Sequence, residues 1–160
     1  MALSGIRLIH HRRGALRLAL RPGGLNQLRL LFDAHSFWAD DRTPSQLRRM
    51  LWGSAAAVSA WDGGRLVGFG RATTDGIFRA VLWDVVVAGS HQGRGIGRQV
   101  VGSLMERPCV RHAERLYLMT TNSSGFYEQL GFKVIETQKL MLHRHVVQTK
   151  EVAKDNEVSG

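Results

Sequence analysis

Residues Phe78 to Val87 form a nearly continuous apolar run containing Val81, Leu82, Trp83, Val85, Val86 and Val87. Such a run predicts a central strand buried on both faces. Just beyond it stands Gln92-Gly93-Arg94-Gly95-Ile96-Gly97-Arg98, then an amphipathic helix to about Arg107, stopped by Pro108. The three alternating glycines leave several backbone N–H groups unpaired and converging at a helix N-terminus, which makes an anion site. Arg94 and Arg98 add formal charge beside it. One residue of the strand is out of place. Asp84 is ionisable within apolar surroundings, and a buried carboxylate is costly unless paired.

The rest of the chain alternates period and punctuation. The 160 residues are one domain's worth, and 44% hydrophobic with 22% charged is ordinary for a globular protein. Leu16, Leu18 and Leu20 alternate and predict a first strand. Leu25, Leu28, Leu31 and Phe32 lie on one helical face. Thr43 followed by Pro44 reads as an N-cap and first helical position, with Leu47, Met50 and Leu51 continuing that helix to Gly53. Residues 55–61 and 65–73 predict a hairpin across Asp62-Gly63-Gly64, and Asp75-Gly76 a second turn. After the glycine loop come a strand over 116–120, a short helix over 125–130, a strand over 132–135 and a last one around Leu140 and Leu142. Three segments result: a basic arm or edge strand over 1–15, a folded domain over 16–146, and a polar tail over 147–160.

The formal net charge is +9, and residues 1–21 hold five arginines and no acid. That balance admits three polyanionic partners: nucleic acid, a membrane surface or a phosphorylated cofactor. No apolar run approaches the roughly 20 residues of a membrane span. The single cysteine, Cys109, excludes an internal disulfide and a multi-thiolate zinc site. His10 and His11 lack neighbouring acids and are a poor metal site, so no metal is expected. One free thiol suits a reducing cytoplasm. If the arginine-rich start is a leader, a plastid stroma replaces it.

Two nucleotide signatures fail on the residues. A P-loop needs Gly-Lys followed by Ser or Thr, and here Gly is followed by Arg. A dinucleotide fingerprint built on Gly95 and Gly97 needs glycine where Val100 stands. Gln92-x-x-Gly95-x-Gly97 instead resembles the pyrophosphate-binding signature of the GNAT superfamily of N-acetyltransferases. Asn122, followed by Phe126-Tyr127-Glu128-Gln129-Leu130-Gly131-Phe132, is similar to a second element of that family. The resemblance covers about Leu16 to His143, and residues 70–76 and 83–87 resemble its plastid and cyanobacterial branch. It implies an α/β (α+β) GNAT fold. The implied sheet is mixed and mostly antiparallel, with a splayed parallel strand pair, and about four helices flank it.

The resemblance also implies roles. Acetyl-CoA is the cosubstrate, with Val85, Val86 and Val87, the loop Gln92, Gly93, Arg94, Gly95, Ile96, Gly97 and Arg98, and Asn122, Phe126 and Tyr127 around it. Backbone groups of Val85 and Val87 pair with the pantetheine arm, though the valine side chains are also plain core. Tyr127 protonates the leaving thiolate, or it is a core tyrosine clustered with Phe126 and Phe132. Asn122 bonds the pantetheine amide or caps a turn. Asp84 takes a proton from the acceptor amine or holds it; alternatively it pairs with Arg71 or Arg79. His91 reads as packing. Phe37, Trp38, Asp40 and Asp41, with Asp84, Thr120, Phe78 and Trp83, line an acceptor pocket, or the aromatics among them are core. Aromatics beside acids suit a cationic arylalkylamine such as serotonin, or a protein lysine or N-terminus.

An N-acetyltransferase acting by direct transfer in a ternary complex is therefore expected, on a small-molecule or protein amine. A basic nucleic-acid-binding module is disfavoured, because the aromatics are not interleaved with Lys and Arg on one surface. A non-catalytic CoA-binding module and a homodimer are both compatible with the residues.

Overall fold

The computed structural model describes residues 5–39 and 41–145; residues 1–4, Asp40 and the tail from 146 to 160 lie outside the described residues. The apolar run forms β4, Arg79–Val87. It joins β1 (Ile6–His11), β2 (Ala56–Asp62), β3 (Arg65–Thr74) and β5 (Arg115–Tyr117) in one sheet of order β1-β2-β3-β4-β5. The first four strands are antiparallel neighbours, and β5 runs parallel to β4. At the β3–β4 turn the Asp75 carboxylate accepts the backbone N–H groups of Ile77, Phe78 and Arg79 at 2.8, 2.7 and 3.1 Å. These bonds stabilise its charged form and hold its pKa below the ordinary value.

Helices cover both faces, and alternation along β3 decides which goes where. Gly68 and Gly70 face α4 (Ile96–Met105): a Cβ on either would stand 3.0 Å or less from an α4 side chain. Phe69 points the other way and meets Phe32 of α2 (Gly24–His35) edge to face, with ring centres 5.7 Å apart. Leu25, Leu28, Leu31 and Phe32 are the buried stripe of α2, as their spacing predicts. Beside it lies α3 (Pro44–Trp52), opened by a full capping box. The Thr43 hydroxyl accepts the Gln46 N–H at 3.2 Å, and the Gln46 side chain accepts the Thr43 N–H at 2.8 Å.

Three local expectations are corrected. Leu16–Leu20 is a short helix, α1, and the edge strand lies earlier, at β1. Gly14 and Ala15 have φ of +81° and +42°, which turns the chain out of β1 before any alternation can extend. Leu18 is buried and Leu20 exposed, so the two do not share a face against the core as strand residues would. Pro108 starts α5 (Pro108–Arg111) instead of only stopping α4, since proline fits the first turn of a helix. Neither 132–135 nor 140–142 forms a strand. Val134, Ile135, Leu140, Met141 and Leu142 are exposed, and the strand they would extend from, β5, is only three residues long. Alternation marks side chains suited to a sheet face; it does not supply the ladder.

Gly70 tests the close helix–sheet contact. A Cβ there would lie 2.9 Å from Val100 Cγ1 and 3.0 Å from Leu104 Cδ1. Gly70→Ala should overpack this face and destabilise the fold by about 1–3 kcal/mol. Urea denaturation checks it: the midpoint should fall with little change in slope.

Candidate active site

The sheet is interrupted where β4 crosses Gly70. Phe69 pairs with Val86 and Arg71 with Trp83, so Asp84 and Val85 together oppose one residue of β3. This is a β-bulge. Asp84 takes the left-handed conformation with φ +53°, which Asp tolerates better than most residues with a Cβ. Its side chain is only 5% exposed, and each oxygen meets a guanidinium. Arg71 Nε donates to Oδ2 at 2.6 Å and Arg42 Nη1 to Oδ1 at 3.2 Å. Arg71 also reaches Ser54 Oγ at 3.5 Å, while Arg42 lies 5.2 Å from the Phe32 ring centre. Of the two arginines the sequence offered, Arg71 is the partner; Arg79 instead donates to the Phe78 carbonyl.

β4 and β5 part after Val81, ahead of the bulge. Their register runs only from Arg79–Arg115 to Val81–Tyr117. The Ala88 N–H donates to Val67 O across the ladder at 2.8 Å, so antiparallel alternation turns the polar groups of Val87 away from β3, into the gap. The Val87 carbonyl is occupied there by Gln92 Nε2 at 3.1 Å. The Val87 N–H is thus the polar group this residue aims into the gap.

The glycine loop closes one end of this gap. Gly93 and Gly95 have φ of +72° and +80°, and nothing lies within 4 Å of a Cβ built on either. Gly95 caps α4 without a side-chain bond, leaving the first N–H groups of α4 without a side-chain acceptor. Ile96 anchors the helix in the core, and Gly97 packs against Phe126 and Val87. Arg94 is exposed beside the loop. Arg98 bonds Gln129 Oε1 at 3.0 Å and ties α4 to the end of α6 (Ser124–Glu128).

On the far side stand the α6 aromatics. Tyr127 packs edge to face on Phe126 and Phe132, with ring centres 4.9 and 5.8 Å away. Burial raises its phenol pKa above the ordinary 10.0. Thr120 Oγ1 accepts the Ser123 N–H at 3.1 Å, and Asn122 Oδ1 accepts from Ser123 Oγ at 3.3 Å. Thr120 and Asn122 thus shape the turn that enters α6. Phe37 and Trp38 stack edge to face with centres 5.1 Å apart, and are 73% and 50% exposed. The same loop carries Asp41, whose N–H bonds Asp33, and ends at Arg42 on Asp84. Trp83 donates its indole N–H to Thr73 Oγ1 at 2.8 Å, and Phe78 is exposed at the β3–β4 turn.

The Acetyltransferase (GNAT) family profile matches residues 25–132, from α2 to the end of the aromatic cluster. The chain belongs to this family. It is 35% identical over 118 residues to GCN5-related N-acetyltransferase 1, chloroplastic, of Arabidopsis thaliana, covering 73% of this chain and 60% of that protein. It is 40% identical over 98 residues to Serotonin N-acetyltransferase 2, chloroplastic, of Oryza sativa subsp. japonica, covering 57% and 48%. The chain thus spans about half the length of the curated relatives it matches. A GNAT-family crystal structure from Xanthomonas campestris superposes with TM-score 0.69 at 25% identity, covering 88% of this chain and 94% of that one.

In this GNAT chain β4, the glycine loop and α6 all border the β4–β5 gap. Two features escape a reading of the sequence. Arg42 belongs to no motif, and only the tertiary fold delivers it to Asp84. His91 is buried by polar bonds as well as packing: Nε2 lies 3.0 Å from Asp62 and Nδ1 2.8 Å from Ser90. Among the described residues no group of three His, Cys, Asp or Glu could hold a metal, and no helix is long and apolar enough to cross a membrane.

Asp84→Ala leaves two partly buried guanidiniums without their carboxylate. Breaking a buried pair from one side costs about 3–5 kcal/mol. The variant should melt at lower temperature than wild type. An unchanged melting temperature would show that the bulge stands without this cluster.

Proposed function

We propose that this chain is an acetyl-CoA-dependent N-acetyltransferase acting on a primary amine by direct transfer. The observation that carries it is the β4–β5 gap, with the Val87 backbone groups turned into it and the glycine loop at its end. When bound, acetyl-CoA supplies an activated acetyl thioester. The N–H groups of the loop and of α4's first turn, with Arg94, hold its pyrophosphate by dipole and charge. The Gln92 side chain orders the loop through the Val87 carbonyl. The Val87 N–H is free to donate into the gap, where a donor stabilises developing oxygen charge.

Tyr127 is the group we assign as proton donor to the departing thiolate. Its raised pKa keeps the phenol protonated at neutral pH. Asp84 is a positioning residue in this scheme, because each carboxylate oxygen already accepts from a guanidinium. It fixes the bulge that holds Val85, whose backbone we assign to the cofactor arm together with that of Val87. The acceptor enters as the free amine or yields its proton to solvent.

For the acceptor we favour an arylalkylamine such as serotonin. Support comes from the exposed Phe37–Trp38 pair, whose faces suit an aromatic amine, and from the likeness to a serotonin N-acetyltransferase. A protein lysine or N-terminus is the second acceptor class, favoured by the open position of the same pair.

CoA release measured with serotonin, tyramine and a lysine peptide tests both. Turnover should be fastest with the arylalkylamines, and the absence of release with every amine would overturn the activity. Tyr127→Phe should lower kcat about 10²-fold or more while acetyl-CoA KM changes little. The proton donor is present below its pKa and lost above it. The alkaline fall in kcat due to Tyr127 should therefore lie above pH 10.0, the ordinary tyrosine value.

A further inference from the structure

A second cleft of about 550 Å³ opens at the opposite edge of the sheet, between β1 and α1. β1 is three strand spacings from β4, roughly 14 Å. The cleft is therefore separate from the glycine loop. Arg7 of β1, Arg17 of α1 and Arg21 line it together with His11. No carboxylate is among its lining residues, and none of the three arginines has an ion-pair partner among the described residues. Arg21 is stacked 4.0 Å over the Trp61 ring, which holds its guanidinium in place. A cleft of this size suits a small molecule.

His11 provides a second, independent observation. It is 3% exposed, and its Nε2 lies 2.7 Å from Ser59 Oγ. The same hydroxyl accepts the Trp61 indole N–H at 2.8 Å. A hydroxyl has one hydrogen and two lone pairs, so beside that indole it either accepts from His11 Nε2 or donates to it. Burial, with Arg17 and His10 nearby, lowers the His11 pKa to about 4, so the ring is neutral at neutral pH. A neutral ring carries one proton, on Nε2 or on Nδ1. That Nδ1 is buried and has no hydrogen-bond partner. A buried ring nitrogen left unpaired is unfavourable in either tautomer until a polar group reaches it.

We infer that this cleft binds a small phosphate-bearing anion of two or three charges, with Arg7, Arg17 and Arg21 supplying charge and His11, its Nδ1 unpaired, in the same lining. Three guanidiniums exceed what a single carboxylate neutralises, and their planar forks match phosphate oxygens. The inference does not depend on acetyl transfer.

The full chain is titrated with inorganic pyrophosphate, followed by calorimetry and by NMR of the His11 ring nitrogens. The ring signal separates this cleft from the glycine loop, which also attracts pyrophosphate. Saturable binding should shift the His11 Nδ1 resonance, and Arg7→Gln or Arg17→Gln should weaken that event about tenfold or more. Both arginines are exposed, so the variants should melt like wild type. An unmoved His11 signal, or affinity indifferent to both variants, overturns the site. Citrate binding there more tightly than pyrophosphate overturns the phosphate assignment. Salt-sensitive binding of duplex DNA at His11 without saturable pyrophosphate binding overturns the small-ligand class.

Discussion

The Asp84 carboxylate, held between Arg42 and Arg71, sits where the sheet changes character. Up to Val81, β4 has a strand on each side; after it, only β3 remains. The bulge at Asp84 and Val85 inserts one residue into β4 and bends it. Polar groups that would otherwise continue a ladder to β5 then face an open gap. A buried ion cluster is weak evidence for stability, because desolvation offsets much of the attraction. Its effect here is geometric. It pins the loop before α3, through Arg42, to the same point of β4 that Arg71 holds from β3. Helix α4 closes on the other face only because Gly68 and Gly70 leave room for it.

Much of this was legible in the sequence, for identifiable reasons. The β-branched density of 78–87 predicts burial on both faces; β4 has helices over both, but Ala80, Leu82 and Val86 are buried while Val81, Trp83, Val85 and Val87 are only half-buried. The Thr43–Pro44 pair and the α2 stripe are local signals, and local signals survive folding well. The site was legible as a loop motif and an odd carboxylate. What could not be read was tertiary. Leu16, Leu18 and Leu20 satisfy a strand period over a length too short to distinguish it from one helical turn. The two expected strands after Gly131 have the right alternation, but β5 presents only three residues for a ladder. Arg42 carries no local mark at all. Its role exists only because the α2–α3 connection crosses over the bulge.

The net charge of +9 resolves into places with different surroundings. Arg42 and Arg71 neutralise Asp84 inside the fold. Arg94 stands at the glycine loop, whereas Arg98, expected there as a phosphate partner, is bonded to Gln129. Arg7, Arg17 and Arg21 converge on the β1–α1 cleft. A basic chain therefore need not present one basic face, and the nucleic-acid reading of the balance loses its main support.

The bond between Arg98 and Gln129 has a further consequence for the gap. β5 is too short to wall it, so the wall is α6, and α6 is held by side chains rather than by a ladder. Phe126 rests on Gly97, Tyr127 on Phe126 and Phe132, and Arg98 reaches Gln129 from α4. The helix that begins at the glycine loop therefore also positions the tyrosine. The burial that raises the Tyr127 pKa comes from the same aromatic packing that fixes its ring. In the proposed scheme, cofactor anchoring and proton donation thus both depend on one element, α4. A Cβ added at Gly97 would stand in ordinary contact with Phe126 and Val87, so only a side chain larger than alanine would press on both.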